Sequence, residues 1–182
     1  MKRLCYFAMF IFLMVCLVWA NPSLAQRKFL TLASGSPGGV YYPLGGGMAV
    51  IIQKTTDLRC AAESTGASVE NCRLVGAGES DMGMVMGSIA YNATQGMKPF
   101  EQKLPLVALF QLYPAPEHIV TVSGKGIKSI RDLKGKKVSI DVPGSGCAVM
   151  AQAMLQEYGF DLQKDLTIAH LSQNESAQAL KV

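Results

Sequence analysis

Hydrophobic positions fall into two regimes along the chain. From Leu4 to Ala20 they run unbroken, with Lys2 and Arg3 in front of them. Beyond residue 25 they come in short stretches separated by polar and glycine-rich ones. Residues 28–33 alternate with period two and predict a strand. Residues 42–55 are apolar at helical spacing, and Pro43 is tolerated in a first turn. A second strand is expected over 58–63, a helix ended by glycine over 69–76, a third strand over 81–86 and a helix over 88–96. Residues 104–113 and 118–123 read as further strands. A second series follows: a short helix over 129–134, a strand over 137–142, a helix over 147–158 closed by Gly159, a strand over 166–170 and a helix beginning at 172–181. Strands separated by helices predict an α/β fold with mainly parallel sheets. Pro114-Ala115-Pro116 is the best boundary, giving a first lobe over 26–115 and part of a second over 116–182.

The first regime has the layout of a secretory signal: a basic start, an apolar run, then Asn21-Pro22-Ser23 and a small-residue site at Ser23-Leu24-Ala25. Cleavage is expected after Ala25, and the mature protein is expected in the periplasm. A membrane span needs about 20 apolar residues, so an anchor is the weaker reading. Lipid attachment at Cys16 is disfavoured by the bulky Val15.

Composition then narrows the function. Residues 26–182 hold fifteen basic and thirteen acidic residues, a charge of +2. That balance gives neither a nucleic-acid footprint nor a polybasic membrane patch. Cys60, Cys72 and Cys147 remain after cleavage, an odd number. A Cys60–Cys72 bridge and a buried free thiol at Cys60 both stay open. No CxxC pair or histidine-rich spacing points to zinc, and no metal or cofactor is expected.

Three turns carry the candidate chemistry: Ser34–Gly39, Ser64–Ser68 and Pro143–Cys147. Each follows an expected strand and precedes an expected helix. Glycine lets backbone approach a ligand closely. The helix that follows points free N–H groups and a partial positive charge at the turn. Ligands of open α/β sheets bind at the carboxyl ends of the strands. Singly, such turns are as well explained as helix caps; together they favour a small anion. No phosphate-binding GxxxxGK[ST] run is present, and Gly144-Ser145-Gly146 lacks the later glycine of a dinucleotide fingerprint.

The segments SPGGVYYPLGGGMA (36–49), ESTGASVENCRLVGAGESDMGMV (63–85) and GIKSIRDLKGKKVSIDVPGSG (126–146) resemble the solute receptors of TRAP transporters (tripartite ATP-independent periplasmic), in their TAXI branch. The resemblance implies a two-lobed type II periplasmic binding fold that captures a glutamate-like or other small carboxylate. It implies hand-over to the permease subunits of a sodium-driven transporter, with no nucleic-acid partner. The ligand site it implies comprises Ser36, Gly38, Tyr41, Thr65, Gly66, Ser68, Met86, Gly144, Ser145, Gly146 and Cys147. Met86-Gly87-Ser88 stands where the family has Gln-Ser-Asp, and Cys147 where it has a polar residue. Both changes remove hydrogen-bonding groups and favour a smaller or more apolar acid. The resemblance breaks off at 176–182, so the chain is expected to be a fragment, with residues 26–182 alone folding poorly.

Other residues carry plainer expectations. One of Tyr41 and Tyr42 should face the site and the other the core. Met82, Met84 and Met86 alternate as core packing. His118 and His170 read as packed or surface residues, and Lys134, Lys136 and Lys137 as a solvated turn. Arg59 and Arg73 are the arginines placed to grip an anion. Two rival functions remain: a ligand sensor for a signalling partner, and an enzyme using Cys147 with its pKa lowered at a helix start.

Overall fold

The computed structural model describes residues 29–181. The expected signal peptide lies outside them. The first strand, β1 (Phe29–Ala33), leads into helix α1 (Tyr41–Thr55), then β2 (Arg59–Glu63), α2 (Ser68–Ala77), β3 (Met82–Gly83) and α3 (Gly87–Gln95). A 3-10 turn (Ile130–Leu133) opens the second series, followed by β4 (Lys137–Ser139), α4 (Gly146–Glu157), β5 (Thr167–Ala169) and α5 (Gln173–Ala179). The result is a mixed α/β fold with two parallel sheets, ordered β2-β1-β3 and β4-β5. It is compatible with a periplasmic-binding-like architecture.

Local chemistry explains why these elements sit where they do. Leu32 of β1 is sealed against Ala49 of α1, Cys60 of β2 and Met84 just beyond β3. Helix α1 can lie this close because residue 45 is glycine: a Cβ there would come within 2.6 Å of the Ser34 Cβ. The β1–β3 ladder pairs only Leu32 with Met82 and Ala33 with Gly83. Side chains extend it. The Thr31 N–H and hydroxyl donate to one Asp81 carboxylate oxygen at 2.9 and 3.0 Å, and the Ala33 N–H donates to the Ser80 hydroxyl at 3.2 Å. A second cluster of Val69, Cys72, Ile89, Ala93 and Phe100 joins α2 to α3. A third, of Leu133, Ile140, Leu155, Phe160 and Leu166, lies under α4 beside β4 and β5.

The strands expected over 137–142 and 166–170 are shorter, at 137–139 and 167–169, and three differences go further. The third strand shrinks from 81–86 to two residues, because Ser80 and Asp81 spend their side chains on β1. Helix α2 runs past Gly76 and ends on Gly78, whose N–H reaches the Leu74 and Val75 carbonyls. The largest difference is over 104–113 and 118–123, which form no strand. Backbone groups from 107 to 121 make no hydrogen bond among the described residues. Val107 is 86% exposed, Leu109 69% and Phe110 63%. The apolar residue types are those of a strand, but no described neighbour pairs with them. Pro114-Ala115-Pro116 lies inside this extended segment.

The bridge left open between Cys60 and Cys72 is not formed; both are buried free thiols. Met84 is buried in the β1–α1 cluster, Met82 packs beside it and Met86 packs on the α2–α3 cluster, as their alternation predicts.

Candidate functional site

The three turns are contiguous in space. The first meets the second where the Thr65 N–H and the Ser64 hydroxyl donate to the Gly35 carbonyl at 3.3 and 3.2 Å. The second meets the third where the Val69 and Glu70 N–H groups donate to the Gly144 carbonyl at 2.9 and 3.3 Å. The first also packs on α5, with Gly38 against Asn174 and Gly39 against Gln173. The approach of the second and third turns requires glycine at 146: a Cβ there would fall 2.5 Å from the Met86 sulfur and 2.9 Å from the Ser68 hydroxyl.

Most polar atoms of the expected site are engaged within the protein. Ser145 is buried and caps its own helix, its hydroxyl accepting from the Ala148 N–H at 2.9 Å. Such a cap is worth about 1 kcal/mol. Ser68 is buried, accepts from the Met86 N–H at 3.1 Å and shares a hydrogen bond with the Tyr41 phenol. Thr65 donates to the Asn71 side-chain carbonyl at 2.6 Å and accepts from the Ala67 N–H at 3.1 Å. The Gly66 N–H donates to the Glu70 carboxylate at 2.6 Å. The N–H groups of the second turn that were expected to cradle an anion are therefore satisfied by Thr65, Glu70 and Gly144. Ser36 is different: its carbonyl closes the first turn by accepting from the Gly39 N–H at 3.0 Å, and its half-buried hydroxyl makes no hydrogen bond among the described residues.

Around Tyr41 and Cys147 the electrostatics are acidic. Burial, then the neighbouring Tyr113, pushes the Tyr41 phenol up to about 12, against the pull of Ser68. Burial first, then Glu117 and Asp141, pushes the Cys147 thiol up to about 11. This corrects the expectation of a lowered Cys147 pKa: two carboxylates and a desolvated setting outweigh the start of α4, and the thiol stays protonated at neutral pH. Glu117 is itself raised, by desolvation and then by Asp141, with His118 pulling the other way. His170 places Nδ1 3.2 Å from the Asp141 carbonyl. Both histidines thus stand beside the site, at exposed positions.

Two non-glycine residues among those described have positive φ, Ala67 at 74° and Asp141 at 77°. One lies in the second turn and the other just before the third. Such positions cost of order 1–3 kcal/mol and gather at functional sites.

Several side chains leave the expected set. Arg73 stacks over Phe100 at 5.9 Å and donates to the Pro99 carbonyl at 3.1 Å, away from the turns. Arg59 is exposed on β2. Tyr42 is exposed, while Tyr41 serves both core and site. Sequence reasoning missed Tyr113, Glu117, Asp141, Gln173 and Asn174. It also missed Asn71, fully buried at the hub of the first two turns, whose amide nitrogen lies 3.1, 2.8 and 2.7 Å from the carbonyls of Ala33, Ser34 and Met84. A polar residue amid the apolar face of α2 was the available signal for it. Among the described residues no cluster of histidine, cysteine and acidic side chains could hold a metal ion, and no helix is long and apolar enough to cross a membrane. The family model described as NMT1-like family matches residues 32–182 of the chain.

Proposed function

The chain belongs to the NMT1-like family, a periplasmic-binding-like family related to the solute binders of TRAP and ABC transporters, and we propose that it is a TAXI-type receptor serving a sodium-driven TRAP permease. Membership carries a solute-binding role in partnership with membrane components, in a family that is typically extracytoplasmic. The finer reading is that two lobes, one over 26–115 and one that includes 116–182, close on a small organic acid.

One observation carries this reading: turns from both sheets meet around Tyr41, Met86 and Cys147, with Gly144 of one turn accepting hydrogen bonds from the helix that follows the other. A ligand held there touches both halves at once and stabilises their contact, as a closing receptor needs. Phenols, a thioether and a protonated thiol suit a compact, partly apolar acid better than a heavily charged one. The carboxylate of such an acid must avoid Glu117 and Asp141, which leaves the Ser36 hydroxyl and the start of α4 as its seat.

Calorimetric titration with glutamate and with simple monocarboxylates tests the proposal. Saturable binding to one site, weakened at least tenfold by Tyr41→Ala, is the expected result. Absence of binding up to millimolar ligand across the panel, in protein of native circular dichroism, would sink it.

A further inference from the structure

One stretch outside that site is strongly basic. Residues 121–137 hold six basic side chains and one acidic one, whereas the rest of 26–182 holds nine basic and twelve acidic. The one acid, Asp132, is turned onto its own backbone, accepting from the Lys128 and Ser129 N–H groups at 2.9 and 2.8 Å. Lys134 is paired with Asp165 at 3.1 Å. Lys125, Lys136 and Lys137 make no ion pair among the described residues, and all three are exposed.

These three lysines rim one groove of about 240 Å³. Val122, Ile127 and Leu180 line it, half-buried beside the lysines. The groove shares no residue with the candidate solute site. Ammonium groups beside these apolar side chains match a segment that offers carboxylates on either side of one aliphatic side chain. The concavity matters: a bilayer is flat on this scale and cannot enter the groove, whereas a single side chain can.

We propose that this groove docks an acidic, leucine-like segment of a partner polypeptide, and, resting on the receptor reading, that the partner is the membrane component to which the solute is delivered. The charge run that looks like a solvated turn in the sequence is then a recognition surface. Long-range attraction speeds the encounter and the apolar tip fixes the register.

The test uses the full chain and a fluorescent acetyl-Glu-Glu-Leu-Glu-Glu-amide peptide, read by anisotropy. Saturable binding that weakens steadily with salt is expected. Lys136→Glu with Lys137→Glu should lower the affinity about tenfold or more, Lys→Arg at both positions should keep it, and Leu180→Ala should weaken it at unchanged salt dependence. Should the charge-reversed protein fail to fold, Lys136→Gln with Lys137→Gln replaces it. Peptide binding indifferent to these changes overturns the proposal. So does a chain that ignores the peptide but binds vesicles of phosphatidylglycerol, since the surface would then face lipid. Carboxylate titrations separate the two readings: a wild-type chain that binds the peptide but no carboxylate counts against the receptor, and a wild-type chain that binds a carboxylate but ignores the peptide counts against the groove.

Discussion

Replacing Asn71 by leucine should be the most damaging isosteric change near the first two turns. The amide nitrogen carries two protons shared among three carbonyls, those of Ala33, Ser34 and Met84 at 3.1, 2.8 and 2.7 Å. The Ala33 carbonyl keeps a second donor, the Met84 N–H at 3.0 Å. The Ser34 and Met84 carbonyls have no other partner among the described residues, and Thr65 loses the acceptor it holds at 2.6 Å. A buried acceptor left without a donor costs about 1–3 kcal/mol, so two of them give roughly 2–6 kcal/mol; about 3 kcal/mol is expected. For a chain of this length that is roughly 6–12 °C in Tm. Circular dichroism should follow the melt. Asn71→Asp offers a check with a different signature: an ionised carboxylate facing these oxygens is disfavoured, so its stability deficit should widen as pH rises through its raised pKa. A loss below about 1 kcal/mol for Asn71→Leu would refute the reasoning, since the carbonyls would then have found other donors.

Ala67→Gly should stabilise the chain by about 1 kcal/mol by relieving its backbone at φ 74° and ψ −140°; a destabilised melt would show that Ala67 is not strained. With Cys147 pushed up to about 11, its alkylation by iodoacetamide should be slow at pH 7 and still climbing at pH 9, whereas a rate already flat by pH 8 would contradict the acidic surroundings. A carboxylate of constant charge seated at the start of α4, where Cys147 already feels Glu117, should raise further the Glu117 pKa that burial already raises. Binding then takes up a proton and weakens as pH rises through the raised pKa. Glu117→Gln should flatten that dependence, and a wild-type affinity constant from pH 5 to 8 would count against the carboxylate's placement.

Regular elements were legible wherever apolar spacing coincided with local stop signals, as in α1 and in α4 with its Ser145 cap. The segment 104–123 shows the limit. Its residue types specify burial and extension, but a strand also needs a neighbour, and no periodicity reports whether one exists. The site was half legible for a related reason. Serine, threonine and glycine before a helix serve equally well as ligand donors and as caps, and Thr65, Ser68 and Ser145 act as internal partners here. Tyr113 and Glu117 went unseen because their proximity to Cys147 comes from long-range packing, and Asp141 because a single acid shortly before a turn is not distinctive. Asp141 also holds a left-handed backbone that its residue type only weakly advertises.

The carbonyl of Gly144 that accepts from Val69 and Glu70 has a consequence for the order in which the protein takes shape. Helix α2 leaves the ribosome well before its cap exists. At about 5–20 residues per second, several seconds separate the synthesis of Val69 from that of Gly144. During that interval the first turn of α2 keeps open N–H groups, and Ala67 has nothing opposite it to justify its backbone. The first sheet can assemble from β1, β2 and β3 alone, but the rim that carries the candidate site stays unset until the later half of the message has been read. A nascent chain halted before residue 144 should therefore carry a formed β1–β2 pair and a frayed start to α2.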